Sequence, residues 1–151
     1  MHTQAHEVYR AYIEATAFGA LTIIKRMEEF GVSVDEVVCT GGLSLKNVTL
    51  MQIYADVLNR PMKVSASEQT CALGAAMLAA VAAGHDTLAN LQGKIVTHTD
   101  TVYQPDAENA AVYEKIYELY RRLHDAFGKT DWSGNIDHIM KELLDIRDQA
   151  V

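Results

Sequence analysis

The run Asp35-Glu36-Val37-Val38-Cys39-Thr40-Gly41-Gly42-Leu43-Ser44-Leu45-Lys46-Asn47 brings together residue types that a ligand site needs. Val37, Val38 and Cys39 are consecutive apolar residues, which predicts a strand buried on both faces. Gly41 and Gly42 permit positive φ and, lacking a Cβ, let a ligand or another backbone come close. Asn47 is a favoured N-cap type ahead of the apolar positions Leu50, Met51, Tyr54, Val57 and Leu58. Strand, glycine turn and helix start would set free backbone N–H groups at the carboxyl end of a strand, where open α/β sheets bind ligands and anions are favoured. A Gly-Gly turn also serves simply as a tight connection. No Gly-Lys-Ser/Thr follows, so it is not a P-loop, and the third glycine of a dinucleotide fingerprint is missing.

The remaining chemistry-bearing residues form no catalytic set. His2, His6, His85, His98, His124 and His138 show no i, i+4 or i, i+2 pairing, so no zinc site is indicated. Cys39 and Cys71 sit in apolar stretches without metal-like spacing and are expected as buried free thiols. No serine occupies Gly-x-Ser-x-Gly. Asp56 follows Gln52 at i+4 on the polar face of its helix. It reads either as an acid or metal ligand or, with more weight, as an exposed or capping carboxylate, because no second carboxylate shares its turn.

The elements that must position these residues follow from periodicity. A helix is predicted from about Ala5 to Phe30, with Val8, Tyr12, Ala15, Gly19, Ile23, Met27 and Phe30 as its apolar stripe, widened by Tyr9, Ile13, Ala20 and Ile24. Gly31 is a natural C′ residue. Gly19 in a helix interior costs about 1 kcal/mol against Ala, which suggests close packing there. The helix after Asn47 should stop at Asn59-Arg60-Pro61, before a short strand Met62-Lys63-Val64-Ser65. Cys71 to Ala83, after the lead-in Ala66 to Thr70, is almost wholly apolar and reads as a helix buried on most sides, ended by Gly84. This β-α-β-α order fits a parallel or mixed sheet with helices on its faces. Asp86 to Asn90 offers a short helical turn, and Gly93 to Gln104 hints at extended segments. A helix from Pro105-Asp106 to Gly128 carries Tyr113, Tyr117 and Tyr120, expected in the core or an interface. A last amphipathic helix runs from Ile136 to Arg147.

Composition sets outer bounds. The 151 residues suit one domain with a real core, and 49% apolar with 22% charged residues is the balance of a soluble globular protein. A net charge of −7 makes nucleic acid and anionic membrane poor partners. No run is long enough to span a bilayer and no secretory signal is visible, so a cytoplasmic location is expected.

Three blocks in order then match a known family. Thr40-Gly41-Gly42-Leu43 with Asn47 and Leu50-Met51-Gln52-Ile53-Tyr54-Ala55-Asp56-Val57, Arg60-Pro61-Met62-Lys63-Val64, and Glu68 with Ala72-Leu73-Gly74-Ala75-Ala76 resemble the carboxyl-terminal domain of the FGGY carbohydrate kinases. The likeness covers roughly Glu7 to Phe127. Within the family, Val8 to Gly19, Ser65 to Gln69 and Tyr113 to Asp125 are most similar to the members that phosphorylate L-ribulose; those acting on xylulose are the alternative.

The resemblance implies an α/β, partial actin-like and ribonuclease-H-like ATPase domain, helix-rich, with a small sheet and extra C-terminal helices. It divides the chain into residues 1–128, the distal part of the ATP-binding domain, and 129–151, a helical tail that matches no family motif. It implies ATP and Mg²⁺ as cofactors, a pentulose as substrate of the intact enzyme, and Gly41, Gly42, Leu43 and Asn47 against the adenosine. Gly74 and its alanines match a packing segment. The family's catalytic Asp, most sugar contacts and the phosphate-binding hairpin have no counterpart in this sequence, so no catalytic residue is assigned and no activity is expected from the chain alone. The antiparallel strands that precede the long helix in the family are also missing, which predicts an unprotected sheet edge and self-association to cover it. A stand-alone, non-catalytic nucleotide-binding or interaction module is the competing reading.

Overall fold

A computed structural model describes residues 3–149; His2 and the last two residues of the 129–151 segment lie outside them. The elements are α1 (Ala5–Glu29), β1 (Val37–Cys39), α2 (Gly42–Lys46), α3 (Val48–Leu58), β2 (Met62–Ser65), α4 (Thr70–Ala82), α5 (Leu88–Ile95), β3 (His98–Tyr103), α6 (Ala107–Gly128) and α7 (Ile139–Gln149). The sheet is mixed, in the order β1-β2-β3. β1 runs parallel to β2, and β3 closes antiparallel on the other side, with Val37 opposite Met62 and Met62 opposite Tyr103.

Strand alternation sorts the sheet into two unlike faces. Val37, Cys39, Met62, Val64 and Tyr103 pack with the core, and α3 lies over them, flanked by α1 and α6. Val38 and Val102 point the other way and are 42% and 39% exposed. Helices therefore cover one face only, and β1 is a half-buried edge strand rather than one enclosed on both faces. The expectation failed because three consecutive apolar residues do not reveal whether a second layer exists to receive the middle one.

α1 turns toward the core only the widened edge of the expected stripe, Ile13 and Ile24 with Ala20 beside them, joined by residues outside it. Ile13, Ala17, Phe18, Leu21 and Ile24 are buried, whereas Tyr9, Tyr12, Ile23 and Phe30 are 63–72% exposed. Both stripes are apolar, so periodicity alone could not choose between them. A Cβ built on Gly19 would meet nothing within 4 Å, so close packing is not what that glycine serves here. The helix ends as expected, with Gly31 at φ +83° and the Val32 N–H donating to the Met27 carbonyl at 3.1 Å.

Phe18 meets the tyrosines of α6, its ring centroid 6.2 Å from Tyr113, 6.0 Å from Tyr117 and 5.4 Å from Tyr120. The three tyrosines thus belong to the core. The Tyr113 hydroxyl donates to Glu14 Oε1 and accepts from Arg10 Nη2, each at 2.8 Å. Burial pushes Tyr113 up to about 12, so its hydroxyl stays a donor well into alkaline solution.

Asp56 is buried, 3% exposed, and its carboxylate serves as a capping acceptor. Its carboxylate accepts from Gln52 Nε2 at 2.8 Å, from the Asp106 backbone N–H at 2.9 Å and from Asn109 Nδ2 at 3.2 Å. Gln52 also donates to the Gln104 carbonyl at 2.9 Å. Asp106 in turn caps α6 through the Glu108 and Asn109 N–H groups. The side of α3 that reads as polar and solvated is thus the clasp that starts α6.

α4 departs furthest from expectation. Of its residues only Met77 is buried, Leu78 is 60% exposed, and α5 alone packs substantially against it. An apolar helix is enclosed only where something covers it, and no other described element does so. Cys71, on this helix, is exposed and Cys39 half-buried, so the expectation of two buried thiols fails for Cys71. α5 contains Gly93 and is longer than the predicted turn, and His98–Tyr103 settles as a strand by pairing with β2. The tail segment rests on α6 through Ile139, which is 2% exposed. Before α7, the Trp132 indole lies over Gly134, where a Cβ would come within 2.4 Å of Trp132 Cζ2.

Replacing Asp56 by Ala is expected to lower the unfolding free energy by about 2–4 kcal/mol, because three donors lose a buried acceptor together. Urea titration measures this, and a loss below about 1 kcal/mol would show that water replaces the carboxylate.

Candidate functional site

β1 and β2 are parallel, so both deliver their carboxyl ends to one side of the sheet. β1 leads there into Thr40 and the glycine pair, and β2 into the Ala66–Gln69 loop. Gly41 takes φ +94° and ψ 163°, a conformation that a side chain would strain. Its carbonyl accepts a 2.7 Å bond from the Ser44 hydroxyl, which pins the turn; Ser44 is buried and was not singled out in the sequence. The signal was present, since a hydroxyl three residues after a turn carbonyl is well placed to bond back to it.

Gly42 has ordinary negative φ and opens α2, a five-residue helix that the sequence reading had not separated from α3. A single turn sums few peptide dipoles, so the longer α3 carries the effective positive end. Asn47 sits at that junction. Its N–H donates to the Leu43 carbonyl at 3.1 Å, and its Oδ1 accepts from the Leu50 N–H at 3.0 Å, as the predicted cap requires. With Oδ1 committed to the helix, the Nδ2 donors are what Asn47 can offer a ligand.

The turn is open. A Cβ on either Gly41 or Gly42 would meet no atom within 4 Å. Leu43 and Val48 beside it are 63% and 65% exposed. Bare backbone, two apolar side chains and an amide donor suit a flat heterocycle better than a charged group. Burial pushes the Cys39 thiol up, so it stays protonated near neutrality and is a poor nucleophile. The next loop is ordered by its own serines: the Ser67 N–H donates to Ser65 Oγ and the Gln69 N–H to Ser67 Oγ, both at 3.3 Å. Among the described residues no three His, Cys, Asp or Glu side chains converge on a metal position.

A hollow of about 620 Å³ lies elsewhere, between α1, α6 and the end of α3. Val34 and Asp35, just ahead of β1, line it, so it opens at the amino end of that strand. Lys25 Nζ crosses it 4.6 Å above the Tyr117 ring. It contains none of Gly41, Gly42, Leu43 and Asn47.

Comparison with known proteins bears on this geometry. The FGGY family of carbohydrate kinases, C-terminal domain, matches residues 1–83. The chain is 46% identical to the ribulokinase of Geobacillus thermodenitrificans over 156 aligned positions, covering 98% of this chain and 26% of that protein. It is 47% identical to the ribulokinase of Halalkalibacterium halodurans over 134 positions, 85% of this chain and 24% of the other. The Geobacillus match extends past Gly128, where the sequence had shown no motif. Among solved structures, a ligand-bound xylulose kinase from Lactobacillus acidophilus superposes with a TM-score of 0.68 at 29% identity, over 84% of this chain and 26% of that one. A Plasmodium falciparum glycerol kinase with ADP gives 0.63 at 26% identity, over 82% and 25%. The fold is thus that of a partial FGGY C-terminal domain, and the chain spans about a quarter of the length of the curated relatives it matches.

The two glycines differ in a way that stability can read. Gly41→Ala is expected to lower the unfolding free energy by about 1–2 kcal/mol through its positive φ, whereas Gly42→Ala changes it by less than about 0.5 kcal/mol. Thermal and urea melts of both variants check this; equal losses would show that the strain at Gly41 does not govern the turn.

Proposed function

The chain belongs to the FGGY family of carbohydrate kinases, and on that premise we propose that it forms the adenosine side of the ATP cleft of a pentulose kinase. The intact enzyme would convert ATP and L-ribulose to ADP and L-ribulose 5-phosphate. One observation carries the reading: the backbone of Gly41 and Gly42 is bare and unobstructed where a parallel strand ends. Adenosine lies against Gly41, Gly42 and Leu43, and Asn47 donates from Nδ2 while its Oδ1 holds α3. L-ribulose is preferred to xylulose as substrate because identity to the ribulokinases reaches 47%, against 29% to the solved xylulose kinase.

These residues bind and orient; they move no proton. Mg²⁺, when bound, neutralises phosphate charge in kinases of this kind, and its ligands, like the catalytic base, belong to other parts of the enzyme. The division into a domain over 1–128 and a tail over 129–151 is part of the same proposal, as is a cytoplasmic location. The chain alone is not a kinase, and its unpaired β1 edge associates with a second copy, because unsatisfied strand N–H and C=O groups seek a partner. A stand-alone nucleotide-binding module would share the glycine turn but would be a complete protein without sugar phosphorylation.

Two experiments bear on this. Calorimetry with ADP is expected to show that Asn47→Asp, which keeps the cap acceptor, binds at least tenfold more weakly at unchanged stability. Asn47→Ala loses both the affinity and about 1 kcal/mol of stability. Unaltered affinity in Asn47→Asp would remove Asn47 from the site. The pure chain is expected to sediment above its 16.7 kDa monomer mass and to turn over no L-ribulose with ATP. A monomer at high concentration removes the edge-pairing reading, and turnover removes the claim that the catalytic base lies elsewhere.

A further inference from the structure

Little holds α7 to the body of the fold. Among the described elements it packs substantially on α6 alone, with Ile139, 2% exposed, as its buried anchor. Beside Ile139 stands His138, the residue on which α7 starts: its carbonyl accepts from the Lys141 and Glu142 N–H groups, both at 3.0 Å. The imidazole reaches across the joint. Arg122 of α6 donates from Nη1 to His138 Nε2. A guanidinium has donors only, so Nε2 must accept, and the ring that fits is the neutral tautomer with its proton on Nδ1. That Nδ1–H faces Asp137 Oδ1 at 3.3 Å. Glu142 Oε1 lies 3.7 Å from Nε2, outside hydrogen-bond distance.

These groups sort by element. Among the described residues, the charged groups within ion-pair distance of the imidazole are Arg122, Asp137 and Glu142. Both carboxylates sit on the same segment as His138, one next to it and one a turn further on. Arg122 alone faces it from α6, and Arg122 is the partner that a protonated ring must refuse. A proton on Nε2 removes the acceptor and sets two cations against each other. The new N–H is drawn instead to Glu142, within its own helix. The joint then keeps Ile139 but loses its hydrogen bond.

We propose that His138 is a pH-sensitive latch between α6 and α7. Neutral, it accepts from Arg122 and holds the last helix down; protonated, it exchanges Arg122 for Glu142 and lets that helix loosen. Imidazole is the side chain whose ordinary charge change falls between about pH 5 and 8, so mild acid is enough to work the latch. The sign follows from linkage: the released ring takes up a proton that the latched ring has no place for, so acid favours release. The device belongs to the carboxyl-terminal joint and stands apart from the glycine turn and from any nucleotide there.

Hydrogen exchange tests it. Protection of the α7 amides, taken relative to unstructured peptide at each pH, is expected to fall about tenfold between about pH 7.5 and about pH 5.5, while α3 keeps its protection. Trp132 lines the same hollow as Arg122 and His138, and its emission shifts to the red over that interval. An imidazolium quenches a nearby indole without any movement, so exchange is the deciding readout. His138→Gln keeps a neutral acceptor for Arg122 and does not titrate; its α7 stays protected at both pH values. Arg122→Ala shows the low protection at both. His124→Gln, which removes the exposed imidazole of α6 beside Asp125, responds as the unaltered chain does. Equal protection of α7 at the two pH values overturns the proposal, and so does an equal fall in His138→Gln. A parallel fall in α3 assigns the effect to acid loosening of the whole fold and overturns it as well.

Discussion

Burial of α3 is the constraint on which the other elements depend. Met51, Ile53, Ala55, Asp56, Val57 and Leu58 are all buried, so the helix has almost no free side. α1 and α6 press on its flanks and the sheet lies beneath it. A helix enclosed in this way can meet solvent or ligand only at its ends. Its amino end carries Asn47, and its carboxyl end is closed by Asn59 at φ +49° and by Arg60, whose guanidinium bonds the Val34 and Leu58 carbonyls and Glu28. The position of the candidate site is thus a consequence of packing. The glycine turn sits where the one well-held helix begins, and β1 holds the turn from the other side.

What the sequence made legible follows the same logic. Local signals were read correctly: the Asn47 cap, the Gly31 and Asn59 helix ends, Asp106 ahead of α6, and β2 at Met62–Ser65. Each depends on backbone chemistry within a few residues. Statements about which side is covered fared worse. The apolar stripe of α1, the enclosure of α4 and the two-sided burial of β1 were inferred from apolar pattern alone, and much of each face stands open. Composition reports what a surface would favour, not whether a partner is present. Asp56 reads as an exposed or capping carboxylate; the capping half holds, and the exposed half fails because donors fifty residues away bury it, which no local pattern contains.

The candidate site was legible in part for the same reason. Gly41, Gly42, Leu43 and Asn47 are local in sequence and form one turn in space. Ser44, whose hydroxyl fixes that turn, escaped notice because serine is common and its role appears only with the carbonyl it meets. The break between α2 and α3 was also hidden, since both helices are apolar and good helix formers flank the junction. That break matters, because it starts the longer helix, with its amide donor, at Asn47 rather than at the glycine pair.

The contact between Trp132 and Gly134 has a practical consequence. This is the sole indole of the sequence, and it lies in the polar segment between α6 and α7, outside the aromatic cluster around Phe18. Ultraviolet emission from the chain is therefore a local gauge of that connecting segment, blind to the layers around α3. Ellipticity at far-ultraviolet wavelengths, dominated by the long helices α1 and α6, follows the body of the fold. The two optical signals watch separate regions, so a mismatch between them during melting would resolve loosening of the carboxyl-terminal segment from loss of the core.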